Sequence, residues 1–272
     1  MARLPNENID LELFKDEFKN IDQEFLPSVV SIFRLFPFID IEKEFLLMTK
    51  EATFAYGEVI CSWLSLEHDM IRPRRISCLD DMTIVQVDSG ADFVAILTDD
   101  GRVYLASNDS NWKTNNTFRL INTGNDRFKM IACGWHHLLM LRHDGHVFAI
   151  GHNSFGQITG NEKSSYESMI QIDNLKNVKL IACGGYHSFS ITKNGEIFSW
   201  GLNDFGQLGL VMKKTESPHV LLHFLMLIQH ESKILWLAKI IHYFYSKMVR
   251  FGDVVLIMLV NLVLVMKIID QF

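Results

Sequence analysis

Apolar and polar residues alternate along much of this chain with a period of two, in short runs that come in pairs. FVAILTD and RVYLA flank Asp100-Gly101, LLMLRH and HVFAI flank Asp144-Gly145, and FSITK and EIFSW flank Asn194-Gly195. A period of two sends successive side chains to opposite faces of a strand. Asx-Gly between two such runs signals a hairpin, because both central turn positions take positive φ. The pattern therefore predicts antiparallel β-structure built of hairpins.

The hairpins repeat. Residues 131–160, IACGWHHLLMLRHDGHVFAIGHNSFGQITG, align without a gap on residues 181–210, IACGGYHSFSITKNGEIFSWGLNDFGQLGL, and share 12 of 30 positions at an offset of 50. The shared set includes Ile131/Ile181, Cys133/Cys183, Gly134/Gly184, His137/His187, Gly145/Gly195, Phe155/Phe205 and Gln157/Gln207. A weaker copy, DSGADFVAILTDDGRVYLAS, lies at 88–107, and a fainter one, EFLLMTKEATFAYGEVICSWLSL, at 44–66. Gly57, Ser107, Gly151 and Gly201 occupy one slot and step by 50, 44 and 50 residues. That is the period of a propeller blade.

The pattern IACGxxHSxxIxxNGEIFSWGxNxFGQLG resembles the regulator of chromosome condensation repeat, over about residues 44–210 and most closely in the last two units. The resemblance implies a β-propeller, seven-bladed when complete. The early unit at 44–66 and the leading segment at 8–40 look most like proteins that join this propeller to a BTB domain. Seven blades at this period need roughly 350 residues, so the chain reads as a fragment without a closed ring. Incomplete sets of blades expose apolar faces and edges, and a marginal or aggregation-prone protein is expected.

Ahead of the blades, residues 6–26 place Leu11, Leu13, Phe14, Phe18, Ile21 and Phe25 mostly at helical spacing, with acidic residues at the start. This predicts an amphipathic helix that packs on the propeller. Beyond about residue 224 the chain turns apolar and helix-prone, but the uninterrupted stretch 254–260 is far short of the roughly 20 residues a membrane span needs. Read one nucleotide back, Met248-Val249 must encode Gly and Met266-Lys267 must encode Glu. Permitted third bases then give NGEVWGCGSYNAGQLGLGNEDNR over 247–270, another copy of the repeat. The expected architecture is all-β: an incomplete β-propeller of about four blades (41–84, 85–129, 130–179 and 180–223), an N-terminal helical segment (1–40) and an anomalous tail (224–272) that is an out-of-frame further repeat.

Composition narrows the function. Apolar residues make up 48% of the 272 and charged residues 21%, a globular balance. The net charge of −6 argues against a nucleic-acid binder, whose affinity comes from clustered Lys and Arg. The four cysteines show no CxxC spacing, and the acidic start lacks the order of a secretory signal, so the chain reads as intracellular. Sequons at Asn108 and Asn115 would then go unused.

No residue carries a catalytic, cofactor or metal assignment. His136, His137, His143, His146 and His152 crowd together in sequence, but the repetition of His137 as His187 points to a structural slot. Cys133 and Cys183 share a buried slot without the basic setting that a reactive thiolate needs. GHNSFGQ and GLNDFGQ lack the lysine and strand-to-helix context of a phosphate cradle and read as blade connections. Trp135 and Trp200 read as packing residues.

The expected function is a non-catalytic protein–protein interaction module, with protein partners at the propeller loops and neither nucleic acid nor membrane. The resemblance implies a substrate-recruiting arm of a ubiquitin-ligase adaptor. Its alternative is guanine-nucleotide exchange on a Ran-type GTPase, as the founding member of the family performs. Glycines in register carry the fold in this reading, and Gly195→Val is expected to cost far more soluble protein than His143→Ala or His146→Ala. For the tail, transcript sequencing across codons 224–272 is expected to show an interrupted frame, and an intact one would overturn the out-of-frame reading.

Overall fold

The structure is a computed structural model that describes residues 14–35, 44–109, 112, 114–121, 124, 126–160, 165–204 and 208. The tail beyond 224, and Leu11 and Leu13, lie outside the described residues. Four antiparallel sheets follow one another along the chain as propeller blades. The first holds β1 (Val29–Leu35), β2 (Glu44–Thr49), β3 (Thr53–Tyr56) and β4 (Arg74–Arg75), with the short helix α1 (Glu58–Trp63) between β3 and β4. The second holds β5 (Ile84–Ser89), β6 (Phe93–Thr98), β7 (Val103–Ser107) and β8 (Arg119–Leu120). The third holds β9 (Phe128–Cys133), β10 (His137–Arg142), β11 (Val147–His152) and β12 (Ser165–Gln171). The described part of the fourth holds β13 (Val178–Cys183), β14 (His187–Thr192) and β15 (Ile197–Gly201).

Alternation along the strands gives the blades two apolar faces, and those between successive blades are buried against each other, while Phe189 and Ile191 on the far face of the fourth are only half-buried. In β6, Phe93, Ala95 and Leu97 point toward the third blade, where they meet Leu138, Met140, Phe148 and Ile150. Val94 and Ile96 of the same strand point back toward Leu46, Met48 and Ala55 of the first. The forward face of the third blade, with Leu139, Leu141, Val147 and Ala149, packs on Ile181, Cys183 and Trp200 of the fourth. Polar bonds lock the innermost strands as well: the Gln86 side chain donates to the Ile131 carbonyl (2.7 Å) and accepts from its amide (3.0 Å), while Asp88 accepts from the Cys133 amide (2.9 Å).

The front segment departs from the helical expectation. Residues 14–25 form a series of turns, Leu26–Ser28 a short 3-10 helix, and residues 29–35 are strand β1, inside the stretch expected to be helical. Pro27 breaks the helical register. The β-branched and aromatic run Val29, Val30, Ile32, Phe33 then pairs with the free edge of β2. The apolar side chains nevertheless pack on the propeller. Phe18 meets Phe45 edge-on at 5.0 Å, Phe25 meets Phe54 at 5.0 Å, and Ile21 is buried with them. By register, Phe45 and Leu47 correspond to Val94 and Ile96 and to Leu138 and Met140, positions that elsewhere pack on the preceding blade. The N-terminal segment thus covers the face of the first blade that a preceding blade would otherwise fill.

The hairpin glycines take the expected positive φ: +78° at Gly101, +91° at Gly145 and +84° at Gly195. Their surroundings differ. The Gly101 carbonyl accepts the Phe128 amide (2.9 Å) and the Gly145 carbonyl the Val178 amide (3.0 Å), so each hairpin receives the first residue of the next blade. A Cβ would sit 2.9 Å from Arg127 Cα at Gly101 and 3.0 Å from Asn177 Cα at Gly145, whereas at Gly195 no described atom lies within 4 Å. Backbone contact therefore adds to the φ cost at the first two, and φ acts alone at Gly195, about 1–2 kcal/mol. In chemical denaturation Gly145→Val is expected to destabilise clearly more than Gly195→Val, and the exposed His143→Ala by less than about 0.5 kcal/mol. Equal losses at the two glycines would remove the blade-contact argument.

Candidate functional site

The loops at the end of the blades opposite those hairpins are stitched together by backbone. The Ala91 amide donates to the Trp135 carbonyl (2.8 Å), and the Trp135 amide donates to the Gly185 carbonyl (2.9 Å), linking the second, third and fourth blades in series. Beneath each loop a Gly-x-x-His or Gly-x-x-Phe unit folds the side chain at the start of the next strand under its own glycine. A Cβ on Gly134 would lie 2.0 Å from His137 Cε1, one on Gly184 2.0 Å from His187 Cε1, and one on Gly90 2.2 Å from the Phe93 ring. The repeated glycine and histidine are thus one structural device.

His137 is fully buried, and its Nε2 lies 3.0 Å from Ser188 Oγ. The Ser188 hydroxyl spends its proton on the Gln157 carbonyl (2.7 Å), so His137 donates from Nε2, which fixes its tautomer. Trp200 is buried and donates to the Ile158 carbonyl (3.1 Å), as a packing residue between blades should. Burial pushes the Cys133 and Cys183 thiols well above their ordinary range, and Cys183 Sγ donates to the Ala132 carbonyl (3.3 Å); both act as protonated packing groups. The connection 153–160 closes on itself. Asn153 Oδ1 accepts the amides of Ile158 (2.7 Å) and Thr159 (3.1 Å), and Gln157 accepts that of Phe155 (2.9 Å).

The five histidines that crowd together in sequence separate in space. His143 and His146 sit at the hairpin end of the third blade, and His136, His137 and His152 at the other end of its strands, with the six-residue β10 between them. Among the described residues no group of three His, Cys, Asp or Glu is placed to hold a metal ion, and no helix is long and apolar enough to cross a membrane.

An aromatic cluster that the sequence reading missed lies on the stitched loops. Trp135 meets Tyr186 edge-on at 4.9 Å, Phe155 meets Tyr186 at 5.0 Å, and His136 lies 5.5 Å from His152 and 6.1 Å from Tyr186. Gly185 makes this possible, because a Cβ there would strike the Trp135 indole at 2.9 Å. Phe155 is 43% exposed, an unusual placement for a large apolar side chain held by an ordered turn, and Trp135 and Tyr186 are half-buried. Sequence spacing hid the cluster because its members come from two blades and from two kinds of loop. The available signal was an aromatic after each Cys-Gly pair, shifted by one position between CGWHH and CGGYH.

His136 Nδ1 lies 3.2 Å from Asp92 Oδ2 across the blade boundary. That hydrogen bond raises the His136 pKa against the opposing effect of burial, and the charge of Asp109 adds to it.

The family model for the regulator of chromosome condensation (RCC1) repeat matches residues 129–157 and 178–207, and a second model of the same repeat matches 194–226. These segments carry the RCC1 repeat. The ultraviolet-B receptor UVR8 of Arabidopsis thaliana is 28% identical over 101 residues, which cover 33% of this chain and 22% of that protein. Among solved structures, the complex of Kap60 with yeast RCC1 (Prp20) aligns with a TM-score of 0.55 at 21% identity, covering 71% of this chain and 47% of that one. Prp20p from Saccharomyces cerevisiae, described with its binding to Gsp1p and histones, gives 0.54 at 20% identity, covering 77% and 52%. These likenesses establish the RCC1 propeller fold, and this chain spans about half the length of the solved propellers it matches. The repeat models match the third and fourth blades, and the Gly-x-x-His units lie inside both matched segments of the first model.

The elevated pKa of His136 sets the pH dependence of its pair. Its folded value lies above the unfolded value of about 6.5, so the stabilisation is complete below that pH and is lost as pH rises through the folded value. In urea titrations the stability gap between the native protein and Asp92→Asn is expected to be larger near about pH 6 than near about pH 9. A gap that widens with rising pH would contradict the pairing.

Proposed function

We propose that this chain is a non-catalytic protein-interaction module that docks a partner on the aromatic face of its propeller blades. The observation that carries the reading is the cluster of Trp135, Phe155 and Tyr186 on loops bonded backbone to backbone across three blades. Aromatic anchors on a preorganised frame bind at low entropic cost, and such residues dominate the energetics of protein interfaces. In its finer form the proposal makes this module the substrate-recruiting arm of a ubiquitin-ligase adaptor, supported by the resemblance of segments 8–40 and 44–66 to propellers joined to a BTB domain. A second reading, nucleotide exchange on a Ran-type GTPase, is favoured by the likeness in fold to Prp20p, a protein described with its binding to Gsp1p.

The test compares proteins cross-linked to the wild-type chain, to Phe155→Ala/Tyr186→Ala and to His143→Ala in cell extract. A specific partner is expected to be lost at least tenfold with the aromatic variant and retained with His143→Ala, which alters the opposite end of the blades. Retention by both would overturn the aromatic face as the docking surface. Accelerated release of labelled GDP from a Ran-type GTPase would instead favour exchange.

A further inference from the structure

Three of the ten arginines of the chain, Arg72, Arg74 and Arg75, stand just ahead of Ser77 in the stretch RPRRIS. They lie five, three and two residues before the serine, and no other arginine has a serine or threonine three residues after it. Neither the repeat nor the aromatic face uses this segment. Arg74–Arg75 is β4, the last strand of the first sheet, and among the described strands it pairs only with β3, through Phe54↔Arg75 and Ala55↔Arg74. Pro73 favours an extended backbone at Arg72, and Ile76 is extended at φ −102°, ψ 84°. The run that leads to Ser77 is therefore an extended chain on a sheet edge.

The side chains concerned all reach solvent. Arg72 and Ser77 are exposed, and the Arg74 and Arg75 side chains are 36% and 57% exposed. Ile76 and Leu79, on either side of the serine, are buried in the cluster between the first and second blades. They anchor the short 3-10 helix Ser77–Leu79 while Ser77 itself stays at the surface. Arg74 donates to the Glu67 carbonyl (2.7 Å) and lies 3.7 Å from Asp69, and Arg75 lies 3.1 Å from Asp80. Exposed ion pairs of this kind hold little, so the guanidiniums can turn to the carboxylates of a partner.

We propose that Ser77 is a phosphorylation site for a serine/threonine kinase that reads basic residues ahead of its target. Such an enzyme selects its substrate by charge pattern, and carboxylates in its groove take arginines through charge-assisted, bidentate bonds. Ser77 Oγ attacks the γ-phosphorus of Mg-ATP. The new O–P bond forms as the bond from that phosphorus to the β,γ-bridging oxygen breaks; ADP leaves with the electron pair, and the serine proton passes to the catalytic aspartate of the kinase. Asp80 and Asp81, three and four residues after Ser77, are what an acid-reading kinase would recognise, but the three arginines oppose the basic groove of such an enzyme. The phosphate places roughly two negative charges between Ile76 and Leu79, where the first blade is held to the second. This inference is independent of the aromatic docking face.

The full chain is incubated with Mg-ATP labelled at the γ-phosphate and either the catalytic subunit of cAMP-dependent protein kinase, which reads arginines ahead of serine, or an acid-reading casein kinase. The first enzyme is expected to transfer label to Ser77, as mapped by mass spectrometry, and Ser77→Ala is expected to abolish the transfer. Arg74→Ala/Arg75→Ala should lower kcat/KM by at least about tenfold, whereas Asp80→Asn should retain it. Thermal unfolding of each variant checks that it folds. Label that survives Ser77→Ala would overturn the site. So would labelling of a synthetic peptide of residues 70–81 without labelling of the full chain, because the fold would then withhold the serine. Faster transfer by the casein kinase, unchanged in the arginine variant, would overturn the basic reading.

Discussion

No blade of this protein can bury both of its faces alone, and the contact that solves this for its neighbour is made at a hairpin glycine. The carbonyls of Gly101 and Gly145 accept the first amide of the following blade, and the absence of a Cβ lets that blade approach to about 3 Å. Once that approach is fixed, the alternating residues of β6 and β10 fall onto their partners, and Gln86 and Asp88 reach the backbone of β9. The spacing between blades therefore follows from turn geometry, and the apolar clusters fill the space so defined.

The same logic operates at the opposite end. Glycines 90, 134 and 184 allow a ring to fold under each loop, which draws the loops close enough for their amides and carbonyls to bond in series. The bonded loops hold the aromatic residues Trp135, Phe155 and Tyr186 against one another. The buried histidines belong to this frame: His137 spends Nε2 on Ser188, and the half-exposed His136 beside it is the one that faces a carboxylate. Two adjacent histidines of one motif thus have different work, decided by which side of the loop each faces.

Much of the fold was legible because hairpins and repeats are local or periodic properties. The three Asx-Gly turns lie in hairpins of the second, third and fourth sheets, whereas the first sheet begins at β1, ahead of the repeat at 44–66. The front segment was misread as a helix because spacing of three and four residues suits a chain of turns equally well when a neighbouring sheet supplies the burial. Phe18, Ile21 and Phe25 have that apolar spacing for the sake of Phe45 and Phe54.

The amino-acid sequence by itself determined the repeat, the hairpins, the glycines with positive φ and the slot shared by His137 and His187, since each depends on residues close in the chain or related by a constant period. The tertiary structure alone decided that β1 starts the first blade and that the crowded histidines part to opposite ends. It alone decided that Trp135, Phe155 and Tyr186 meet beside Asp92. Those outcomes depend on which blade packs on which and at what distance, and a sequence pattern contains the faces of the strands but not the neighbour that each face will find.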